Sequence, residues 1–194
     1  MNFSALLPPA FGSFLVALLL SSSTASAQVP TKESLVKWTD LATAQAAAKK
    51  DGKPLMIDVY TSWCGPCRML DANTFGDKQT AEYINANYHP VKFDAEGGET
   101  VIYNGKSYSN PSYDPARKGG RNGTHELTMA IAPVNGRVAY PTIVYMDSEG
   151  QVLTPVQGYM TPDQIEPILT YFGDGIYKKQ EYPEFQKTFV SKRK

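Results

Sequence analysis

The chain holds two cysteines, Cys64 and Cys67, separated by two residues. That spacing lets both sulfurs meet in a small ring. They follow a short, nearly continuous apolar run, Leu55-Met56-Ile57-Asp58-Val59-Tyr60, which has the pattern of a buried strand. Pro66 stands where a helix can begin. A cysteine at such a junction lies among the free N–H groups of a helix start, which together with the helix dipole stabilise a thiolate. The thiolate is the species that attacks a disulfide. Cys64 is therefore the expected attacking sulfur. Cys67, one turn inside and better shielded, is expected to resolve a mixed disulfide.

Three other uses of the pair fit less well. A structural disulfide normally joins distant parts of a chain, and a four-residue clip restrains little. A metal site needs two more ligands, and the sequence offers only His89 and His125 as histidines and no further cysteine. Haem attachment needs a histidine after the second cysteine, where Arg68 stands. Thiol–disulfide redox use, with no metal or other cofactor, is the reading the motif and its context favour.

The elements that must position the pair follow from pattern. Leu35–Trp38 reads as a short edge strand. Asp40 is a plausible N-cap for an alanine-rich helix over 41–51, which Gly52 ends. Helices are expected over 65–74 and 79–87, the second burying Ala81 and Ile84. Val91–Asp94 is a further strand. Residues 95–138 are rich in Gly, Asn, Ser and Pro and read as an insertion of loops and turns, interrupted by a short helix around 125–131. Thr142–Met146, a turn at 148–150 and Val152–Val156 form a hairpin. Thr161 and Pro162 open a helix carrying Ile165, Ile168, Leu169 and Phe172 at helical spacing. Residues 174–194 read as a helical extension with Tyr182, Phe185 and Phe189 on one face. The alternation of strands and helices implies an α/β fold with a central mixed sheet flanked by helices.

The first 27 of the 194 residues carry no charge. Phe14–Leu20 is apolar, and Ala25-Ser26-Ala27 has the small-x-small pattern of a secretory cleavage site. The amino end lacks the usual lysine or arginine, and Pro8-Pro9 interrupts it. The alternative, an uncleaved membrane anchor, needs an apolar run of about 20 residues, longer than this one. The expectation is a signal peptide over 1–27 and a domain over 28–194, soluble after cleavage in the periplasm or another exported compartment. Lysine plus arginine equals aspartate plus glutamate, 19 against 19, so no basic field exists to hold nucleic acid. Two cysteines cannot make a multi-bridge secreted scaffold.

Trp63-Cys64-Gly65-Pro66-Cys67 resembles, residue for residue, the active-site motif of the thioredoxin-like family. Asp58 lies six positions before Cys64, as the family's buried aspartate does. Pro141, ahead of Thr142-Ile143-Val144-Tyr145, matches the family's cis-proline, and Gly158 its late glycine. The resemblance covers roughly 35–94 and 139–173 and is closest to exported bacterial members with Lys-Pro, here Lys53-Pro54, before the first core strand. The insertion is absent from the smallest members, and Tyr140 replaces the small or aliphatic residue usual before the cis-proline. The family's lysine partner of the aspartate has no firm match. Lys92 is on the right strand, but sequence leaves its register open.

The resemblance implies a thioredoxin-like fold and an exported oxidoreductase that reduces protein disulfides, supplied with electrons by a membrane thiol-reducing donor. Gly65 and Pro66 resemble the dipeptide of reducing members. The rivals are an oxidase that donates its disulfide and a partner-binding module with incidental cysteines. Asp58 would be the proton acceptor for Cys67, since a carboxylate in an apolar strand has its pKa raised; the plain alternative is a surface aspartate on an edge strand. Trp63 serves both packing and as a platform beside the sulfur. Trp63, Gly65, Pro66, Tyr140 and Pro141 would bind substrate, with Tyr140 lining a groove and the insertion forming one wall. Arg68 reads as a solvated helix residue, and His125 as loop or core rather than ligand.

Overall fold

The computed structural model describes Met1 and residues 34–193. Apart from Met1, the expected leader and its cleavage point after Ala27 lie outside these residues. No helix among the described residues is long and apolar enough to cross a membrane.

Helix α1 spans Leu41–Asp51; the Asp40 carboxylate accepts from Thr43 N at 2.9 Å, and Gly52 closes the helix in a left-handed conformation. Strand β1 is Leu55–Tyr60. Helix α2, Gly65–Met69, runs on as a π-helical segment through Leu70–Phe75. Helix α3, Lys78–Asn87, leads into β2, His89–Asp94. Within 95–138 come a small hairpin, β3 (Val101–Tyr103) and β4 (Lys106–Tyr108), a single 3-10 turn, and α4, Glu126–Ile131. Strands β5 (Thr142–Met146) and β6 (Val152–Gln157) form the expected hairpin. Helix α5, Pro162–Gly173, starts with a reciprocal pair of hydrogen bonds between Thr161 and Gln164. Helix α6 is Tyr182–Thr188.

The main sheet has the order β2-β1-β5-β6. Strand β1 runs parallel to β2 and antiparallel to β5, so the sheet is mixed. Helices cover both faces, and side chains of β1 alternate between them. Met56 joins Leu70, Phe75, Ile84, Tyr145 and Phe172 on the face packed by α2, α3 and α5. Leu55, Ile57 and Val59 join Ala44, Ala48, Leu127 and Ile131 on the other. Asp58, in phase with Met56, therefore belongs to the face that carries the cysteine helix.

Two sequence expectations change. Leu35–Trp38 is not a strand: Trp38 N turns back to Val36 O, the indole packs edge-on against Phe75, and only Thr39 bridges to Val91. The insertion is more than loops, because Leu127, Ile131 and Tyr103 complete the core over α1. In the extension, Tyr182 and Phe185 pack on Tyr171, and Phe189 packs on Phe185.

Candidate active site

Strand β1 ends at Tyr60, and the chain turns once before α2 starts at Gly65. Cys64 is the N-cap residue. Its Sγ accepts from Cys67 N at 3.1 Å, using one of the donors a helix start leaves free. Cys64 and Cys67 are joined as a disulfide with Cα atoms 5.3 Å apart. Exposure does not separate the two, since Cys64 is 3% and Cys67 4% exposed. The expectation that Cys67 is the better shielded needs that correction. Position does separate them: Cys64 lines a surface groove with Trp63, Gly65, Pro66 and Tyr140, and Cys67 is not among its walls.

Behind the helix, Asp58 is buried at 1% exposure, not on an edge strand. The register places Asp58 opposite Lys92, and Lys92 Nζ donates to Asp58 Oδ2 at 3.1 Å. Sequence alone could not fix that pairing. Lys92 Nζ also donates to Asp71, four residues beyond Cys67 in the same helical run, and lies over the rings of Trp38 and Tyr60. One cation thus serves two carboxylates. Burial pushes the Asp58 carboxyl up to about 6, against a partial lowering by Lys92. Desolvation works to lower the Lys92 ammonium, but the Asp58 charge and the bond to Asp71 hold it above its ordinary value. Asp58 Oδ1 has no hydrogen-bond partner among the described residues. It is a buried acceptor with capacity for a proton.

The Tyr140–Pro141 bond is cis. Gly158 N donates to Pro141 O at 2.8 Å, tying this turn to the end of β6. The Tyr140 ring meets Trp63 edge-on at 5.9 Å between centroids. The opposite wall comes from the insertion. Glu96 Oε2 accepts from Trp63 Nε1 at 2.8 Å and from Asn122 N at 2.7 Å. The Arg121 guanidinium carbon sits 3.8 Å from the centre of the Trp63 ring. Asn110 holds the wall from behind, its Nδ2 donating to the carbonyls of Glu96, Gly97 and Gly123.

Asn110→Ala leaves those carbonyls unpaired and is expected to cost about 1–3 kcal/mol locally. Amide hydrogen exchange should accelerate around 96–98 and 122–124 while β1 and β5 keep their protection. Uniform acceleration across the domain would show that Asn110 supports the whole fold instead.

His125 caps α4, with Nδ1 accepting from Leu127 N at 3.0 Å and Nε2 paired to Glu99 O at 2.8 Å. It is a core residue. Arg68 is exposed and donates to Ser62 O. Sequence reasoning did not find Glu96, Arg121, Asn122 or Asp71. Glu96 and Arg121 reach Trp63 across more than 30 residues, and Asn122 reaches Glu96, with no local spacing to reveal them; Asp71 could have been noticed at one helical turn beyond Cys67.

A family model described as a thioredoxin-like domain matches residues 41–173. Among curated proteins, the chain is 29% identical over 130 residues to the thiol:disulfide interchange protein HelX of Rhodobacter capsulatus, covering 64% of this chain and 66% of that protein. It is 26% identical over 106 residues to the thiol:disulfide interchange protein DsbD of Citrobacter koseri, covering 55% of this chain but 14% of that protein. The chain therefore spans just under two thirds of the first relative and a small part of the second. A solved thioredoxin-fold protein from Helicobacter pylori superposes with a TM-score of 0.49 at 17% identity, over 71% of this chain and 80% of that one. The matched family region takes in β1, the cysteine pair at the head of α2, and the cis Tyr140–Pro141 turn ahead of β5. With more than half its length inside that match, the chain belongs to the thioredoxin-like family.

Proposed function

We propose that this protein is an exported thiol–disulfide oxidoreductase that reduces disulfides in protein substrates. The observation that carries the reading is the placement of Cys64: at the head of α2, paired with Cys67, and the member of the pair that opens onto the groove. In the reduced protein, the Cys64 thiolate attacks one sulfur of a substrate disulfide. A Cys64–substrate S–S bond forms, the substrate S–S bond breaks, and the departing thiolate takes a proton. Cys67 then loses its proton to Asp58, and its thiolate attacks Cys64 Sγ. The mixed disulfide breaks, Cys64–Cys67 forms, and the second substrate thiolate leaves. Two electrons pass from this protein to the substrate. Trp63, Gly65, Pro66, Tyr140 and Pro141 frame the substrate, which lies along the backbone of Tyr140 as an added strand.

The leader pattern at 1–27 supports export to the periplasm or an equivalent compartment. Such a compartment is oxidising, so the dithiol must be regenerated by a membrane thiol-reducing donor. The similarity to HelX and DsbD, both named thiol:disulfide interchange proteins, supports disulfide interchange as the reaction class. The Gly65-Pro66 dipeptide, with no histidine between the cysteines, supports the reducing direction over the oxidising one.

The test is trapping. Cys67→Ser, expressed with its leader, should accumulate covalent adducts with exported proteins that dithiothreitol releases. An exported fraction with no such adducts would reject protein disulfides as substrates. A reduction potential near the strongly oxidising value of about −120 mV, instead of a thioredoxin-like one near −270 mV, would reverse the proposed direction.

A further inference from the structure

The groove beside Cys64 contains one cation that forms no ion pair among the described residues. Among the ten residues that line it, only Glu96 and Arg121 carry charge. The two differ in how they are held. Glu96 is half-buried and turns Oε2 onto two donors, Trp63 Nε1 and Asn122 N. Its charge is engaged in fixing the wall. Arg121 is exposed and lies on the face of the Trp63 indole, 3.8 Å from guanidinium carbon to ring centre. Among the described residues it makes no ion pair.

Stacking fixes a guanidinium without consuming its hydrogen-bonding capacity. The contact uses the flat face, and the five N–H groups lie in the guanidinium plane, around its rim. The result is a cation held in position whose donors make no hydrogen bond among the described residues, on the residue that precedes the attacking cysteine. A planar fork held this way matches a carboxylate, which it can take through two parallel N–H···O bonds. The groove is about 440 Å³, open to solvent and bounded on the far side by Tyr140, so it admits an extended peptide segment.

We propose that Arg121 is a specificity residue: it selects polypeptide disulfides that carry an aspartate or glutamate next to the cysteine attacked by Cys64. The inference rests on the reading of the groove as the substrate site. It assigns to Arg121 no part in the sulfur chemistry. The carboxylate docks on the guanidinium rim while the substrate sulfur meets Cys64. The preference is electrostatic and exposed, so it should be modest and should fall as salt is raised.

The experiment uses the leaderless reduced protein and synthetic peptides, each closed by one internal disulfide and differing only in Glu or Gln beside the cysteine. The readout is the ratio of kcat/KM for the Glu peptide to that for the Gln peptide. The unmodified protein should favour the Glu peptide by about threefold at low ionic strength, the range an exposed ion pair supplies. Arg121→Gln should bring the ratio to one, and Arg121→Glu should carry it below one. Arg121→Lys keeps the charge but not the fork, and should fall between the unmodified protein and Arg121→Gln. A ratio unchanged in Arg121→Gln and Arg121→Glu, with reduction intact, would overturn this inference alone. Failure of the unmodified protein to reduce either peptide would overturn the reading of the site as a reductant, and this inference with it.

Discussion

Cys64→Ser should bring disulfide reduction to the uncatalysed background, while Cys67→Ser should still attack once and then stall. The asymmetry does not come from exposure, because both cysteines are buried to nearly the same degree in the disulfide. It comes from the helix start. Cys64 Sγ already accepts a backbone N–H from Cys67, and when the disulfide opens that donor and its neighbours stabilise negative charge on this sulfur. Cys67 sits inside the first turn, and among the described residues its sulfur accepts no backbone N–H. Alkylation of the reduced protein at mildly acidic pH, read by peptide mass, should label Cys64 first. Faster labelling of Cys67 would reverse the two roles.

Asp58→Asn should slow resolution of the mixed disulfide and at the same time stabilise the fold at neutral pH. Burial raises this carboxyl from its ordinary 3.8 to about 6. In the mechanism, the ionised form is the base, so the resolution rate should rise with pH through about 6 and then level. Asn removes that limb and is expected to cost about a hundredfold at pH 7, the low end of general-base contributions. Rapid-quench measurement of mixed-disulfide decay isolates this step from Cys64 ionisation. A rate unchanged by Asp58→Asn would remove Asp58 from the mechanism.

The stability sign follows from the same shift. A carboxyl with a raised folded pKa favours folding while protonated. That contribution is complete below 3.8 and is lost as pH rises through about 6. At pH 7 the ionised group costs at most about 3 kcal/mol, a net figure that already includes the partial lowering by Lys92. Urea unfolding should therefore show Asp58→Asn more stable than the unmodified protein at pH 7, with the gap closing at pH 3.5. A less stable variant at pH 7 would mean that the Lys92 pairing outweighs burial.

Local rules carried much of this molecule. The ends of α1 and α5 could be read because Asp40 and Thr161 each accept a hydrogen bond from their helix's first turn. Strand β1 could be read because a nearly continuous apolar run, broken only at Asp58, has to be buried on both faces. Other features are set by contacts distant in sequence. The Asp58–Lys92 register depends on how two strands slide, which neither strand encodes alone. The bend at Leu35–Trp38 arises because Phe75 captures the indole. The β3–β4 hairpin was different: Asn104-Gly105, a strong turn dipeptide, lies between Val101–Tyr103 and Lys106–Tyr108, and the loop-rich composition around it hid the signal. The Glu96 and Arg121 contacts with Trp63 had no local signature, because a folded insertion must first bring them there.

The sheet order explains why an insertion at 95–138 can influence the cysteine pair at all. Strand β2 runs with β1 and so finishes at the edge where β1 delivers Cys64; β5 runs against β1 and so begins at that same edge. Any segment spliced between them departs and returns at the mouth of the reactive centre without crossing the core. Residues 111–122 can therefore be exchanged as a cassette, provided Glu96, Asn110 and the core-filling Tyr103, Leu127 and Ile131 stay. Under the proposed function, a graft there should re-address the protein to new clients while the cysteine pair at the head of α2 keeps its surroundings. Choice of client and redox potential then become separately adjustable traits.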